Sequence, residues 1–304
     1  MTRRILLVAH PKRAEAVDVA RGVVEQLRRA GVEVALPAEE ARDFAGIDIG
    51  PVVTADAQDP TAGCELVVVL GGDGTILRGA EHSRGTSVPL LGVNLGHVGF
   101  LAEAEREDVT ATVDHIVQRA YQVEERMTLD VEARQDGGHI AHSWALNEVS
   151  VEKAARERML EVAIEVDDHP LSTWGCDGVV VATPTGSTAY AFSAGGPVIW
   201  PDVEAILMVP NSAHALFARP IVVGPRSRLA IEVIPSADGH GVMWCDGRRQ
   251  VDLPPGARIE VSRSDIPVRL ARLSRSPFTD RLVAKFDLSI AGWRGRNRSR
   301  SAPA

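Results

Sequence analysis

The first third of the chain alternates between patterns of buried strands and an amphipathic helix. Arg4 to Ala9 form a compact apolar run, and the apolar residues that follow recur every three or four positions, as on one face of a helix. Leu66 to Leu70 are apolar without interruption, which is typical of a strand buried on both faces of a parallel sheet. The segment from Thr75 onward can be helical, and Val88 to Val93 repeat the strand pattern. This order predicts an α/β domain, Rossmann-like, over residues 1–120.

Beyond residue 120 the pattern changes to short β-rich stretches with turn-forming residues between them. The spacing predicts a predominantly β domain over residues 121–278, either a sandwich or a layered sheet. Residues 279–293 are expected to return to the first domain, and residues 37–63 to be irregular. The expected strands are Leu129 to Arg134, Trp144 to Val151, Leu160 to Val166, Val179 to Ala182, Leu229 to Ile234, Val242 to Cys245, Arg258 to Val261 and Val268 to Leu273.

Composition narrows the class of protein. The chain has 304 residues, of which 45% are hydrophobic and 24% charged, as in an ordinary globular protein. No apolar run approaches the roughly 20 residues that span a bilayer, and the N-terminus lacks a secretory pattern. Cys64, Cys176 and Cys245 are odd in number and have no paired short spacing, which argues against a disulfide framework and a cysteine zinc site. The expected location is the cytoplasm.

The net charge argues against nucleic acid as the main partner, and the absence of a membrane-facing amphipathic stretch argues against a membrane. The formal net charge is −8. Four arginines punctuate residues 294–304, where we expect a disordered basic tail, with a nucleic-acid contact as the alternative.

The strongest candidate for chemistry is the loop Gly71-Gly72-Asp73-Gly74-Thr75. It follows a buried strand, and its glycines let backbone N–H groups approach an anion at the start of a helix. A purely steric strand–helix turn is the alternative. The carboxylate of Asp73 favours phosphate chemistry, because it would repel a phosphate unless it held Mg²⁺ or accepted a proton. The loop matches neither the Walker pattern nor the dinucleotide fingerprint.

This loop resembles the phosphate-binding loop of the NAD kinases and of their relatives, the lipid kinases and the 6-phosphofructokinases. Three further motifs resemble the NAD kinases in particular: a second glycine turn that begins at Asn94, the pair Asn147-Glu148, and the run from Thr183 to Tyr190. The four motifs stand in family order over residues 66–200. Ser276-Pro277-Phe278 and the ending near Trp293 are similar to actinobacterial members.

The resemblance implies a set of site residues. Asn147 and Glu148 would hold the adenine edge and a ribose hydroxyl, although a polar pair at a turn is the alternative. Tyr190 would contact a base or else fill core. Asp177 would contact one end of NAD, or be an ordinary turn residue. The other implied ligands of NAD or phosphate are Gly72, Gly74, Thr75, Arg78, Asn94, Arg158, Thr188, Ala189 and Ser193. Arg158 lies in a charged run for which a solvated face is the simpler account.

The implied activity is transfer of a phosphoryl group from ATP or polyphosphate to the 2′-hydroxyl of the adenosine ribose of NAD, with Asp73 as general base or metal-linked carboxylate. A divalent metal, Mg²⁺, is expected as cofactor, and a homodimer or homotetramer as the assembly. Two other classes stay open at this point. A lipid kinase would share the glycine loop, and a non-catalytic dinucleotide-binding regulator would keep Asn147 and Tyr190 without needing Asp73.

Overall fold

Two structural units make up the chain, and the computed structural model describes residues 3–11, 14–96, 99–155, 159–235, 240–273 and 277–290 of them. The first unit comprises Met1–Glu124 and Arg269–Ala304, and the second comprises Glu125–Val268. The sequence pattern gave the second unit the bounds 121 and 278. The chain returns to the first unit at residue 269 because a late strand pairs with the first sheet. The expected tail at 294–304 lies outside the described residues.

The first unit is an α/β domain built on one sheet. Its elements are β1 (Arg3–Ala9), α1 (Ala14–Arg29), β2 (Val32–Leu36), α2 (Ala38–Asp43), β3 (Val53–Thr54), β4 (Leu66–Leu70), α3 (Asp73–Ser83), β5 (Leu90–Asn94), β6 (Ala104–Glu105), α4 (Val109–Gln118) and β7 (Gln122–Arg126), with the last of these crossing the unit boundary. Strands β2, β1, β4, β5 and, later in the chain, β20 (Val268–Arg272) pair in parallel in that order. The expected apolar face of α1 is buried against this sheet at Ala20, Val24 and Leu27.

The second unit is a β-sandwich. Its elements are β8 (Leu129–Gln135), β9 (Gly138–Ala145), β10 (Glu148–Lys153), β11 (Leu160–Val166), β12 (His169–Cys176), β13 (Gly178–Ala182), α5 (Tyr190–Ser193), β14 (Ile206–Asn211), β15 (Ile221–Val223), β16 (Leu229–Val233), β17 (Gly241–Cys245), β18 (Arg249–Leu253) and β19 (Arg258–Arg263). Two six-stranded sheets have the orders β15-β14-β13-β10-β17-β18 and β12-β11-β16-β19-β8-β9. Apolar residues of both sheets form one shared core, which selects the sandwich from the two expected arrangements.

Two local expectations were wrong. Residues 37–63 contain helix α2, which begins after Pro37 and is built from the good helix formers Ala38-Glu39-Glu40-Ala41-Arg42. The segment from Thr75 onward is helical as expected, and helix α3 already begins at Asp73, an acidic residue that suits the first turn. The stretch from Trp144 to Val151 is two strands, since the chain bends at residues 146–147 between β9 and β10.

The last helix, α6 (Phe278–Phe286), belongs to the first unit. Its position matters for the site, because it packs beside the segment that follows β5. None of the helices in the described part of the chain has both the length and the apolar character needed to cross a membrane.

Candidate active site

The glycine loop joins the carboxyl end of β4 to the first turn of α3. Gly72 is the residue before the helix, and no side chain caps the helix N-terminus. A Cβ added at Gly71 would lie 2.5 Å from Thr75 Oγ1, so packing within the protein requires that glycine. A Cβ added at Gly72 or Gly74 would meet no atom within 4 Å. Protein packing therefore does not require these two glycines, which favours an approaching ligand as the reason for them.

Asp73 is the first residue of α3, and two backbone amides hold its carboxylate. Phe100 N–H donates to Asp73 Oδ2 at 3.2 Å, and Leu101 N–H donates to Oδ1 at 3.3 Å. Gly99 permits this approach, since a Cβ there would lie 2.4 Å from Oδ1. The carboxylate is half-buried. It is thus oriented by the neighbouring segment while it keeps contact with solvent beside the loop.

Arg78 lies one turn beyond the loop and is already engaged. Its Nη2 forms an ion pair of 3.0 Å with Glu40 Oε1 and donates to the carbonyl oxygen of Ala9 at 3.1 Å. Glu40 Oε2 accepts from Ala9 N–H at 2.9 Å. Burial raises the pKa of Glu40 to about 7, although the Ala9 amide and Arg78 oppose the rise. Glu40 lies on α2, so it is not among the i+3 and i+4 neighbours of Arg78 on its own helix.

Asn94 is fully engaged inside the first unit. Its Nδ2 donates to Glu105 Oε2 at 2.7 Å and to the Gly96 carbonyl at 3.2 Å, while its Oδ1 accepts from Gly96 N–H. Burial raises the pKa of Glu105, against the opposing Asn94 hydrogen bond. Asn94 therefore shapes the second glycine turn. A pocket beside the glycine loop is lined by His10, Glu15, Ala16, Leu70, Gly71, Thr75 and Leu95.

In the second unit, Asn147-Glu148 forms the bend between β9 and β10, and Asp246 holds it. The Asp246 carboxylate accepts from the backbone N–H groups of Leu146 at 3.0 Å, Asn147 at 2.7 Å and Glu148 at 3.4 Å. Arg249 Nη2 pairs with Asp246 Oδ2 at 2.8 Å. Three amides on one buried carboxylate explain why the chain bends here instead of continuing as a strand.

Arg249 ties this bend to the end of β9. Its Nη2 also donates to the carbonyl oxygen of Trp144 at 2.9 Å, and its guanidinium lies 4.3 Å from the centre of the Trp144 ring. A stacked guanidinium keeps few rotamers, so the pair stiffens the support of Asp246.

Glu148, at the start of β10, is a buried carboxyl group with an incomplete set of hydrogen bonds. Its side chain is 7% exposed, and Oε2 has no hydrogen-bond partner among the described residues. Burial, followed by the nearby Asp246, raises the pKa of Glu148 to about 8, and a hydrogen bond from Tyr190 N–H opposes the rise. A buried carboxyl with one unsatisfied oxygen is costly unless a ligand supplies the missing partner.

The Thr183–Tyr190 run lies directly on this bend. Thr183 Oγ1 donates to the Leu146 carbonyl at 2.5 Å, and Thr183 N–H donates to the Asn147 carbonyl at 2.9 Å. A Cβ at Gly186 would lie 1.9 Å from that same Asn147 oxygen, so only glycine fits. Tyr190 is half-buried, and its hydroxyl accepts from Asn211 Nδ2 at 3.1 Å. The two motifs thus form one cluster.

The other residues that the sequence predicted as ligands of NAD or phosphate differ in their contacts within the protein. Thr188 Oγ1 donates to the Thr185 carbonyl, Ala189 ends a short 3₁₀ turn, and Ser193 is exposed at the end of α5. Asp177 forms an ion pair with Lys153 Nζ, which is the main reason that its pKa is lowered. Arg158 lies outside the described residues.

Comparison with known proteins identifies the family. Residues 5–121 match the model of the ATP-NAD kinase N-terminal domain, and residues 146–273 match the ATP-NAD kinase C-terminal domain. NAD kinase 2 of Streptomyces coelicolor is 57% identical over 296 residues, which cover 96% of this chain and 97% of that protein. The chain belongs to the NAD kinase family. The resemblance drawn from the four motifs is confirmed.

Solved NAD kinase structures share the fold. A yeast NADH kinase complexed with NADH superposes with a TM-score of 0.85 at 24% identity, over 95% of this chain and 88% of that one. An NAD kinase from Archaeoglobus fulgidus in complex with ATP gives a TM-score of 0.70 at 27% identity, over 94% of this chain and 99% of that one. The expected fold class, an α/β domain followed by a mostly β domain, is confirmed.

Several residues that hold the candidate site residues in place were not found from the sequence. Asp246 stands in Cys245-Asp246-Gly247, which was interpreted only as a turn, although a polar residue directly after a buried strand is a signal. Glu40 was hidden in a stretch without a regular pattern. Phe100 and Leu101 act through backbone amides, which no side-chain pattern reveals.

Proposed function

We propose that this protein transfers the γ-phosphoryl group of ATP to the 2′-hydroxyl of the adenosine ribose of NAD, giving NADP and ADP. Membership of the NAD kinase family supports the proposal, as do the ATP and NADH bound in the two related structures. The observation that carries it is the Asp73 carboxylate on the first turn of α3, beside two glycines that packing does not require.

The first unit supplies the chemistry in this proposal. The N–H groups at the start of α3, near Gly72, Gly74 and Thr75, face the transferred phosphate, and the helix dipole favours negative charge there. The 2′-oxygen forms the new P–O bond, the bond from the γ-phosphorus to the leaving ADP oxygen breaks, and Asp73 takes the hydroxyl proton. Arg78 contributes positive charge one turn away, with Glu40 holding it.

A divalent metal, proposed to be Mg²⁺, fits this arrangement. No group of three or more His, Cys, Asp or Glu side chains forms a ready cage within the described ranges. Mg²⁺ in phosphoryl-transfer sites is held largely by the substrate phosphates and retained waters, so the proposal needs no cage of protein carboxylates. When bound, the ion would neutralise charge on the phosphates.

The second unit recognises the dinucleotide in this proposal. Glu148 Oε2 offers a buried partner for a ribose hydroxyl, and the Asn147 side chain offers a donor and an acceptor to the adenine edge. Tyr190 presents a half-buried ring for a base, with Thr188, Ala189 and Ser193 beside it. Asp177 and Arg158 extend the contact to the rest of NAD, and Asn94 acts through the shape of its turn.

We further propose that the protein works as a homodimer or homotetramer in the cytoplasm. Leu216 and Phe217, between β14 and β15, are 111% and 51% exposed, which supports contact with a second copy. All three cysteines are free, which fits a reducing compartment.

The direct test incubates the pure protein with NAD, Mg²⁺ and either ATP or polyphosphate, and measures NADP formation. We expect NADP to form with ATP. NADP formation with polyphosphate would show that polyphosphate is also a phosphoryl donor. No NADP from any phosphoryl donor would overturn the proposal. In that event, tight NAD binding without turnover would identify a regulator, and phosphorylation of a lipid alcohol would identify a lipid kinase.

A further inference from the structure

The Asp73 carboxylate is oriented by a segment outside helix α3, and helix α6 in turn binds that segment. The two amides that reach Asp73 belong to Phe100 and Leu101. These residues lie between β5 and β6 without a strand of their own. What fixes this segment therefore fixes the direction of the Asp73 carboxylate.

Arg281 of α6 fixes that segment through its backbone oxygens. Its Nη1 donates to the Phe100 carbonyl at 3.0 Å and to the Ala102 carbonyl at 2.7 Å. Its Nη2 pairs with Glu103 Oε2 at 2.6 Å. One guanidinium thus binds the segment at three residues, 100, 102 and 103.

Burial makes this grip rigid. The Glu103 side chain is 1% exposed, the Arg281 side chain 16%, and Arg272 Nη1 gives Glu103 a second cationic partner at 2.9 Å. The Phe100 ring packs between Phe278 and Phe286 of α6, with ring centres 5.8 Å and 5.9 Å apart. A buried, hydrogen-bonded charge pair of this kind has few alternative arrangements.

We propose that Arg281 is a positioning residue for Asp73, acting from α6 through the Phe100–Leu101 backbone to set the orientation of the catalytic carboxylate. This inference rests on the proposed phosphoryl transfer to NAD. Arg281 lies 181 residues beyond Phe100 along the chain, so the proposal gives the returning helix α6 a role in turnover.

The test compares Arg281→Met with Arg272→Met in the NADP-forming assay, well below the melting temperature of each. Both variants remove one cationic partner of Glu103. Among the described residues, however, Arg272 donates to the Glu103 and Glu124 side chains and not to the carbonyls of residues 100–102. Small misplacements of reacting groups cost up to about 10²-fold in rate. We expect Arg281→Met to lower kcat by about 10- to 100-fold with the KM for NAD within about twofold. Arg272→Met should stay near the wild-type kcat.

A double-variant cycle separates positioning from general destabilisation. If Arg281 acts through Asp73, Arg281→Met should have little further effect on kcat in an Asp73→Asn background. Equal loss of kcat in both backgrounds, or an unchanged kcat in Arg281→Met, would overturn the inference. A wild-type protein that forms no NADP would instead overturn the proposed function and leave Arg281 without a carboxylate to position.

Two milder variants decide the question if Arg281→Met does not fold. Arg281→Lys keeps a donor for the carbonyls, and its kcat should recover part of the loss. Gly99→Ala disturbs the same contact from the Asp73 side, whereas a Cβ at Gly22, inside helix α1, meets nothing within 4 Å. We expect Gly99→Ala to lower kcat with little change in KM, and Gly22→Ala to leave both unchanged. Equal kcat in these two glycine variants would count against positioning of Asp73 by the Phe100–Leu101 backbone.

Discussion

The Asp73 and Glu148 carboxyl groups differ in almost every physical respect. Asp73 is half-buried at a helix start and accepts two backbone hydrogen bonds longer than 3.1 Å. Glu148 is 7% exposed, has one oxygen without a hydrogen-bond partner among the described residues, and has a pKa raised to about 8 by burial. Proton acceptance during turnover suits the first environment, and recognition of a neutral hydroxyl suits the second.

The supports of the two carboxyl groups differ as well. Asp73 depends on a segment without regular structure that α6 must hold. The Asn147-Glu148 bend sits inside a sandwich, where Asp246 binds three of its amides and the Thr183 run covers it. In the proposed function, chemistry and recognition therefore rest on separate supports, so single substitutions should affect one without the other.

The largest expected effect comes from Asp73→Asn. A general base contributes about 10²–10⁴-fold to turnover, so kcat should fall by that order while the fold is kept. Steady-state NADP formation is the measurement. Asp114→Asn is the matched control, because it makes the same change on an exposed face of α4 and should leave kcat unchanged. Turnover in Asp73→Asn equal to that of the control would remove Asp73 from the mechanism.

A smaller effect, on stability, is expected from Asp246→Ala. The change leaves three buried backbone amides without their acceptor, and each unsatisfied group costs about 1–3 kcal/mol, partly recovered by water. We expect the free energy of unfolding in urea to fall by about 2–4 kcal/mol. Asp252→Ala, at an exposed position on β18, should change it by less than about 0.5 kcal/mol. Similar losses in the two variants would show that Asp246 does not support the bend.

The smallest effect is a change in pH dependence from Glu148→Gln. Between pH 4.5 and about 8 the folded protein keeps a proton on Glu148 that the unfolded chain releases, so stability falls as pH rises through this window. Glutamine at position 148 does not titrate, so the variant lacks this pH-dependent part of the stability. The melting temperature of Glu148→Gln relative to wild type should therefore rise by roughly 2 °C or more from pH 5 to pH 8. A pH profile of the melting temperature for Glu148→Gln that runs parallel to that of wild type would refute the raised pKa.

Much of this architecture was predictable from local patterns. The uninterrupted apolar run of β4 and the stepped apolar face of α1 predicted the α/β unit, because burial leaves a direct trace in sequence. The four motifs predicted the family. The bend between β9 and β10 was not predictable, since it depends on Asp246, which is about 100 residues away along the chain. The support of Asp73 also escaped prediction, because it runs through backbone groups and through Arg281.

We propose that Asp73 serves the chemistry and Glu148 serves recognition of NAD. Calorimetric titration of NAD into Asp73→Asn and Glu148→Ala measures the two roles separately. We expect a Kd for Asp73→Asn within about twofold of wild type, and a Kd for Glu148→Ala weaker by about tenfold or more, since losing one buried hydrogen bond costs about 1.4 kcal/mol. Weakened NAD binding in Asp73→Asn together with wild-type binding in Glu148→Ala would contradict this proposal.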